Sequence, residues 1–546
     1  MSKAFLDLNL QLEDELLLAF ARTNVNKKNI EKLLESKGIN WDSFLRKAYS
    51  NKVLPLLYFH FKSINSDLIP LHYLSVLASH CERTVKSNLL LTSELLKILR
   101  LLKTENICVV PFKGPILTTS IYKNLSLRDF CDLDLLINED DFCKVKNILK
   151  KDGYEPEFKF SKWQEESFLK YHYESMFKNT KDTHLDIHWR VVPTYFNETL
   201  KSNELINDSV EIELFGEKIR TLSPEDMLIV LCFNGAKDSW RELKMLTDVA
   251  ELIQSCDLQW EKVLQKSKKL KVEKILALGV VLANSLYQVQ IPEEVLIKVQ
   301  TDSSIKLLAE KVCSSMFNGT PQFVNIKQQS LFHLKVLDNY FQKIKYCIDF
   351  TLTPTIGDWQ FLSLPKYFSW LYCFIRPIRL IKKYLLKFFR SGKLVGFVST
   401  HKDIVEQMLE FAEVGEDDVI YDLGCGDGRF IIAAAKKYGC KGVGIDIDPE
   451  NIKNACSNAK KEGVEKLTTF LQADALGVDI SEATVVILFL PPSVVKAKFK
   501  KELKPETLIL SYGNYYFKGC TPFKTKITAA PSGSMYLLYL WKVDYI

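Results

Sequence analysis

Apolar residues in the first hundred positions recur at three- and four-residue spacing, as in "NIEKLLESKGINWDSFLRKAY" and "SNLLLTSELLKILRLL". That period predicts helices that each bury one face. Between 106 and 192 the pattern mixes. "NICVVPF", "CDLDLLIN" and "HLDIHWRVV" predict strands, and helices are expected through "PILTTSIYKNL" and over 140–151. From 221 to 390 the helical texture returns, opening on "SPEDMLIVLCF", where Ser223 suits an N-cap and Pro224 the first helical position. After 397, short apolar runs ("DVIYDL", "GVGID", "TTFLQAD", "TVVILFL", "TLILSYG") alternate with helical stretches. That rhythm belongs to a parallel, doubly wound sheet. The pattern thus predicts a multidomain α+β and α/β chain. Its helix-rich first domain covers 1–390 (helical 1–100, α/β core 106–192, helical 221–390); a linker at 391–397 leads to a Rossmann-like α/β domain at 398–546.

A length of 546 residues is too great for one core and agrees with several domains. No stretch reaches the 18 or more apolar residues of a membrane span, and "MSKAFLDLNLQLEDELLL" lacks the basic start and apolar run of a secretory signal. Thirteen cysteines are dispersed without zinc spacing, which suits reduced thiols and a cytoplasmic location. The net charge of +6 is local: residues 341–393 carry 10 basic and 2 acidic side chains, a net of +8, whereas 397–546 carry 18 and 20. A nucleic-acid binder would spread its basic residues over a face, so no specific nucleic-acid partner is expected. In "IRPIRLIKKYLLKFFRSGK", Ile378, Ile381, Leu385 and Phe388 share a helical face opposite arginines and lysines. Two readings fit: weak contact of 364–393 with an anionic membrane surface, or a helix packed on its own domain with its lysines in water, the commoner case.

"RDFCDLDLLINED", residues 128–140, carries the first candidate chemistry. Strand alternation puts Asp132 and Asp134 on one face and Leu133, Leu135 and Ile137 on the other. Two neighbouring carboxylates repel, and burying both is costly without a cation. "HLDIHW" adds a third acid, Asp186, flanked on its face by His184 and His188. Three carboxylates can hold Mg²⁺ ions that bridge triphosphate oxygens, with His188 as an orienting group and His184 at the surface. Upstream, Lys113-Gly114 ends a strand ahead of a helix, where Lys113 offers a charge to phosphate. Arg128 either binds phosphate or pairs with Asp129.

The second candidate is "VIYDLGCGDGRF". Asp422 sits at a strand end, and Gly424, Gly426 and Gly428 lead into the helix "FIIAAAKKY". Glycines there admit a ligand close to the backbone, and the helix N-terminus favours a carboxylate. Asp446, about 20 residues on, is placed to accept ribose hydroxyls, and Asp474 to meet an adenine amino group. A dinucleotide site would need its third glycine at 429, which is Arg429.

These residues resemble the class I S-adenosylmethionine-dependent methyltransferases over about 400–546. "FVSTHKDIVEQMLEFAEVGEDDVIYDLGCGDGRF" is similar to the protein-lysine methyltransferases of the adenine nucleotide translocase and the ATP synthase c subunit. The resemblance implies S-adenosylmethionine as cofactor and a protein lysine or a small molecule as acceptor. Leu490 stands where amino-methylating DNA enzymes carry Asn or Asp before the Pro-Pro pair, which argues against DNA adenine methylation. The first domain resembles an uncharacterised polymerase-β-like nucleotidyltransferase family. The match runs through Lys113-Gly114, Leu117, Tyr122, Arg128, Asp132–Leu136, Gly153-Tyr154, Asp186–Trp189 and Ser223–Asp226. It implies Mg²⁺ with a nucleoside triphosphate, held by Asp132, Asp134 and Asp186. The superfamily's usual Gly-Ser turn is Lys-Gly here, which removes a hydroxyl from the phosphate turn. The expected function is a bifunctional transferase; the alternative is a methyltransferase whose first domain only recognises substrate.

Overall fold

Polar caps begin several of the amino-terminal helices. Asn26 and Asn40 accept from Asn29 N and Ser43 N at the starts of Lys27–Leu34 and Trp41–Ser50. Ser223 accepts from Asp226 N with Pro224 in the first turn, as its sequence position suggests. These features belong to a computed structural model describing residues 6, 10–36, 38–64, 68–181, 183–193, 196, 202–300, 302–318, 326–362, 364–389, 400–513, 515–517, 520, 522–529 and 535–546. It comprises two compact units, Met1–Arg379 and Leu380–Ile546. The expected linker at 391–397 lies outside the described residues.

In the first unit, helices up to the long Leu71–Thr104 precede a five-stranded mixed sheet. Its strands are β1 (Val110–Phe112), β2 (Asp132–Leu136), β3 (Tyr154–Pro156), β4 (Glu174–Asn179) and β5 (His184–His188), in the order β1-β2-β5-β4-β3. Only β2 and β5 run parallel, with Asp134 opposite Asp186 and Asp132 opposite His184. Leu133, Leu135 and Ile137 are buried, and in the neighbouring strand β1 Phe112 is the register partner of Asp134. A hairpin, β6 (Val210–Leu214) and β7 (Glu217–Thr221), leads back to helices, among them Pro224–Lys237 and Leu243–Ser255. No helix is long and apolar enough to cross a membrane among the described residues.

The second unit is a seven-stranded sheet: β8 (Val419–Leu423), β9 (Lys441–Asp446), β10 (Thr468–Gln472), β11 (Val485–Leu488), β12 (Leu508–Tyr512), β13 (Lys524–Ala529) and β14 (Met535–Lys542). The order β10-β9-β8-β11-β12-β14-β13 places the reversal of strand progression between β8 and β11. The first five strands are parallel, and β14 pairs antiparallel with both β12 and β13. Helices Lys402–Phe411 and Arg429–Tyr438 bury Met408 and Ile431 on one face. Helix Pro492–Glu502 buries Val495 and Phe499 on the other. This is the doubly wound, Rossmann-like sheet the apolar runs predict, and its carboxyl edge at the reversal is where such sheets bind ligands.

Candidate functional sites

The parallel pairing of β2 with β5 sets the first site, because it stacks Asp134 beside Asp186 on one face. Ligand atoms of Asp134, Asp186 and His188 lie within 4.8 Å of one another. Asp132 stands one pleat away and outside that trio, although its charge still acts on Asp134 and Asp186. Asp134 is buried, and one of its oxygens, Oδ1, takes both Lys113 Nζ and His188 Nε2 at 3.0 Å. Burial alone would raise the Asp134 pKa, but Lys113 and His188 outweigh it and hold the carboxyl well below the usual range. Lys113 shows the converse: burial would lower its pKa, and Asp134 and Asp132 raise it. Lys113 is also held at a positive φ of 61° where β1 enters the next helix, a backbone conformation that aims it back over the sheet.

Asp186 has no hydrogen bond of this kind. Its Oδ1 is buried without a hydrogen-bond partner among the described residues, and burial, with Asp134, Glu174 and Asp132 adding repulsion, outweighs the lowering pull of His188 and pushes its pKa up to about 7. Glu174 Oε2 lies 3.4 Å from His188 Nδ1, so a fourth carboxylate borders the cluster. The donor set suits a hard divalent cation. Oxygen ligands predominate, and among the described residues one buried oxygen is orphaned.

Of the two roles the sequence suggests for Arg128, pairing with Asp129 is replaced by pairing with another acid. Its guanidinium is buried and bound to Asp248 Oδ1 and Oδ2 at 2.8 and 2.9 Å, and Tyr122 donates to the same carboxylate at 2.8 Å. Asp129 pairs instead with Lys244 Nζ at 3.3 Å. Arg128 is therefore a fixture between the approach to β2 and helix Leu243–Ser255, with its Nη1 buried and without a hydrogen-bond partner among the described residues. Asp248 lies 120 residues away in sequence; the available signal was an acid inside the buried stripe of "LKMLTDVAELIQS".

In the second unit Asp422 is the next-to-last residue of β8, and the glycine turn that follows is tied to β9. Gly424 N and Cys425 N donate to Ile445 O at 2.8 and 3.0 Å, and Gly426 N donates to Asp446 Oδ2 at 2.9 Å. Gly428, at φ 79°, needs its missing side chain: a Cβ there would lie 2.8 Å from the Phe470 ring and 2.9 Å from Ala455. Asp422 is fully buried with Oδ1 unpartnered among the described residues. Burial, then Asp446 and Asp427, push its pKa up to about 8. Asp446 also accepts from Asn451 Nδ2 at 3.2 Å and Asp448 N at 2.8 Å, so it shapes the turn as well as edging the site. Asp474 follows β10 and is exposed, with Oδ1 accepting from Leu476 N. Asp422, Asp446 and Asp474 thus mark the carboxyl ends of three adjacent strands.

Across the strand reversal stands a wall of aromatic rings that the sequence reading did not single out. Phe489, just past β11, meets Phe430, Tyr512 and Tyr515 with centroids 5.4, 5.3 and 5.6 Å away, and Tyr536 packs 5.1 Å from Tyr512. Burial raises the Tyr515 and Tyr536 hydroxyl pKa values, and Tyr512 adds to both. Arg429 reaches Asp427 at 2.5 Å and the Thr400 carbonyl, fixing the segment before helix Lys402–Phe411 to the glycine turn.

Residues 37–288 match the model of an uncharacterised nucleotidyltransferase family, and residues 422–524 match an ANTKMT methyltransferase domain. A protein-lysine N-methyltransferase from Saccharolobus islandicus (strain REY15A) is 41% identical over 153 residues, 27% of this chain and 94% of that protein. A norajmaline N-methyltransferase from Rauvolfia serpentina is 33% identical over 17% of this chain and 34% of its own length. A solved RNA methyltransferase from Salinibacter ruber, in complex with S-adenosyl-L-homocysteine, is 43% identical over 27% of this chain and 94% of its own, with a TM-score of 0.25.

Proposed function

We propose, for a chain that belongs to the ANTKMT methyltransferase family and carries a nucleotidyltransferase domain ahead of its S-adenosylmethionine-dependent methyltransferase domain, that the methyl acceptor is an amine, foremost a protein lysine. The observation that carries this is the aromatic wall of Phe489, Tyr512, Tyr515 and Tyr536 beside the strand reversal. An amine attacks only when deprotonated, and a dry aromatic lining favours the neutral form of a lysine. The same rings favour a methylated ammonium product through cation–π attraction. The cofactor supplies an already activated methyl group. The chain aligns it: the glycine turn and the N-terminus of helix Arg429–Tyr438 take the methionine end, while Asp446 and Asp474 edge the nucleoside end. Asp422 waits beneath as a buried acceptor. Positioning in a water-poor pocket then supplies most of the acceleration. With their pKa values raised, Tyr515 and Tyr536 are not bases, and solvent takes the amine proton.

For the first unit, the reading is metal-dependent nucleotidyl transfer. Asp134 and Asp186, with Asp132 alongside, would hold Mg²⁺, which would neutralise the carboxylates and the phosphate oxygens they face. The orphaned Asp186 oxygen supports this. A second reading, a silent recognition module, draws on Lys113: its ammonium already neutralises Asp134. Incubating the full chain with methyl-labelled S-adenosylmethionine and a cell extract tests the acceptor. Label on protein lysines is expected, reduced at least tenfold by Tyr512→Ala. Label confined to small molecules would overturn the protein acceptor, and label on oxygen the amine reading.

A further inference from the structure

The helices that close the first unit show a face that its core does not use. In helix Tyr340–Leu352, Phe341, Ile344 and Ile348 follow one stripe and are 85, 53 and 50% exposed. The short turn Lys366–Leu371 exposes Tyr367 and Trp370, and the helix after it opens with exposed Phe374 and Ile378. The opposite sides of the two helices are tied to the rest of the unit. Tyr346 meets His333 at 3.0 Å, and Trp359 packs edge-on against Phe160 and Trp163. Arg376 reaches Phe350 O at 2.6 Å and Asp358 at 3.1 Å, and Arg379 reaches Asp358 at 2.5 Å. Arg376 and Arg379 therefore tie the two longer helices together through Phe350 and Asp358, with their apolar stripes facing outward.

We propose that this face docks on an anionic lipid bilayer. Soluble surfaces rarely gather so many large apolar side chains. Trp and Tyr beside aliphatic residues suit the boundary between headgroups and acyl chains. Charge selects the anionic surface: residues 341–393 carry 10 basic and 2 acidic side chains, a net of +8, against +6 for the whole chain. The remainder is therefore −2, and the positive charge is concentrated in the stretch of sequence that contains the apolar face. The sequence extends the stripe of Phe374 and Ile378 at the same spacing through Ile381, Leu385 and Phe388, with lysines between. Nucleic acid would meet the charge but offers no hydrocarbon layer for Ile344, Ile348 and Ile378. This inference does not rest on the methyl acceptor.

Co-sedimentation of the full chain with vesicles tests it, comparing phosphatidylcholine alone with about 30 mol% phosphatidylserine added, in about 0.1 M salt. At least tenfold tighter partition to the anionic vesicles is expected, and the triple variant Ile344→Ser, Trp370→Ser, Phe374→Ser should lose most of it while melting with an unchanged profile. Trp370→Phe, a milder change, should retain binding and remove a blue-shifted component of the emission. Equal partition to both vesicles, no partition, or full binding by a folded triple variant would overturn the proposal. So would a dimer in sedimentation velocity that the triple variant dissolves without any vesicle binding, because a second copy would then be the occupant.

Discussion

Two aspartates, one in each unit, one buried and one half-buried, are held in opposition to their surroundings. Asp422 has an unpartnered oxygen among the described residues and a pKa pushed up to about 8, where an ordinary aspartate titrates at about 4, so the folded chain resists its ionisation. The unfolded chain ionises it from about pH 4 upward, so this carboxyl costs stability progressively between pH 4 and 8 and in full above 8. Asp422→Asn should therefore raise the melting temperature at pH 8.5, by about 1–3 kcal/mol equivalent, and gain almost nothing at pH 4.5. It should also abolish S-adenosylmethionine binding. Melts at the two pH values check the first statement, and a gain equal at both would contradict it. In the first unit, Asp186→Asn should likewise stabilise the metal-free protein near neutral pH, because burial and the neighbouring carboxylates oppose the ionisation of Asp186 more than His188 favours it. Mn²⁺ or Mg²⁺ should raise the melting temperature of the wild type and not of this variant.

At the scale of elements, the legible parts of the sequence were those with one unambiguous period. The buried runs of β8, β9, β11 and β12 announce themselves because both faces of a parallel sheet are covered. The Asp-x-Asp strand was legible from its alternation. Strands β3 and β4 were not: "YEP" is too short for a period, and "ESMFKN" buries only Phe177. The hairpin β6–β7 carried a usable signal, "VEIEL" and "EKIRT" around Phe215-Gly216, that the reading passed over. Arg128 shows a different limit, since its partner comes from a helix 120 residues on and no local pattern pairs them. That pair joins elements and should be strongly felt. Arg128→Ala leaves Asp248 buried and unpaired, with an expected loss of about 3–5 kcal/mol in urea unfolding. The double variant Arg128→Ala, Asp248→Asn should recover a large part of it, and strict additivity would show that the two groups are not coupled.

For the whole molecule, the account gives each compact unit its own chemical centre. The turn at Asp422–Gly428 is built entirely from β8, β9 and the helices around them, and the acidic cluster entirely from β1, β2, β4 and β5. Separate cores of this kind predict separable binding. The most direct test is calorimetric titration of the full chain with S-adenosylmethionine and with a magnesium nucleoside triphosphate, repeated on Asp422→Asn and on Asp186→Asn. The account predicts that the wild type binds both ligands, that Asp422→Asn loses only S-adenosylmethionine, and that Asp186→Asn loses only the metal-dependent nucleotide. A wild type that binds no nucleotide in the presence of metal, or variants that each lose both ligands, would contradict it.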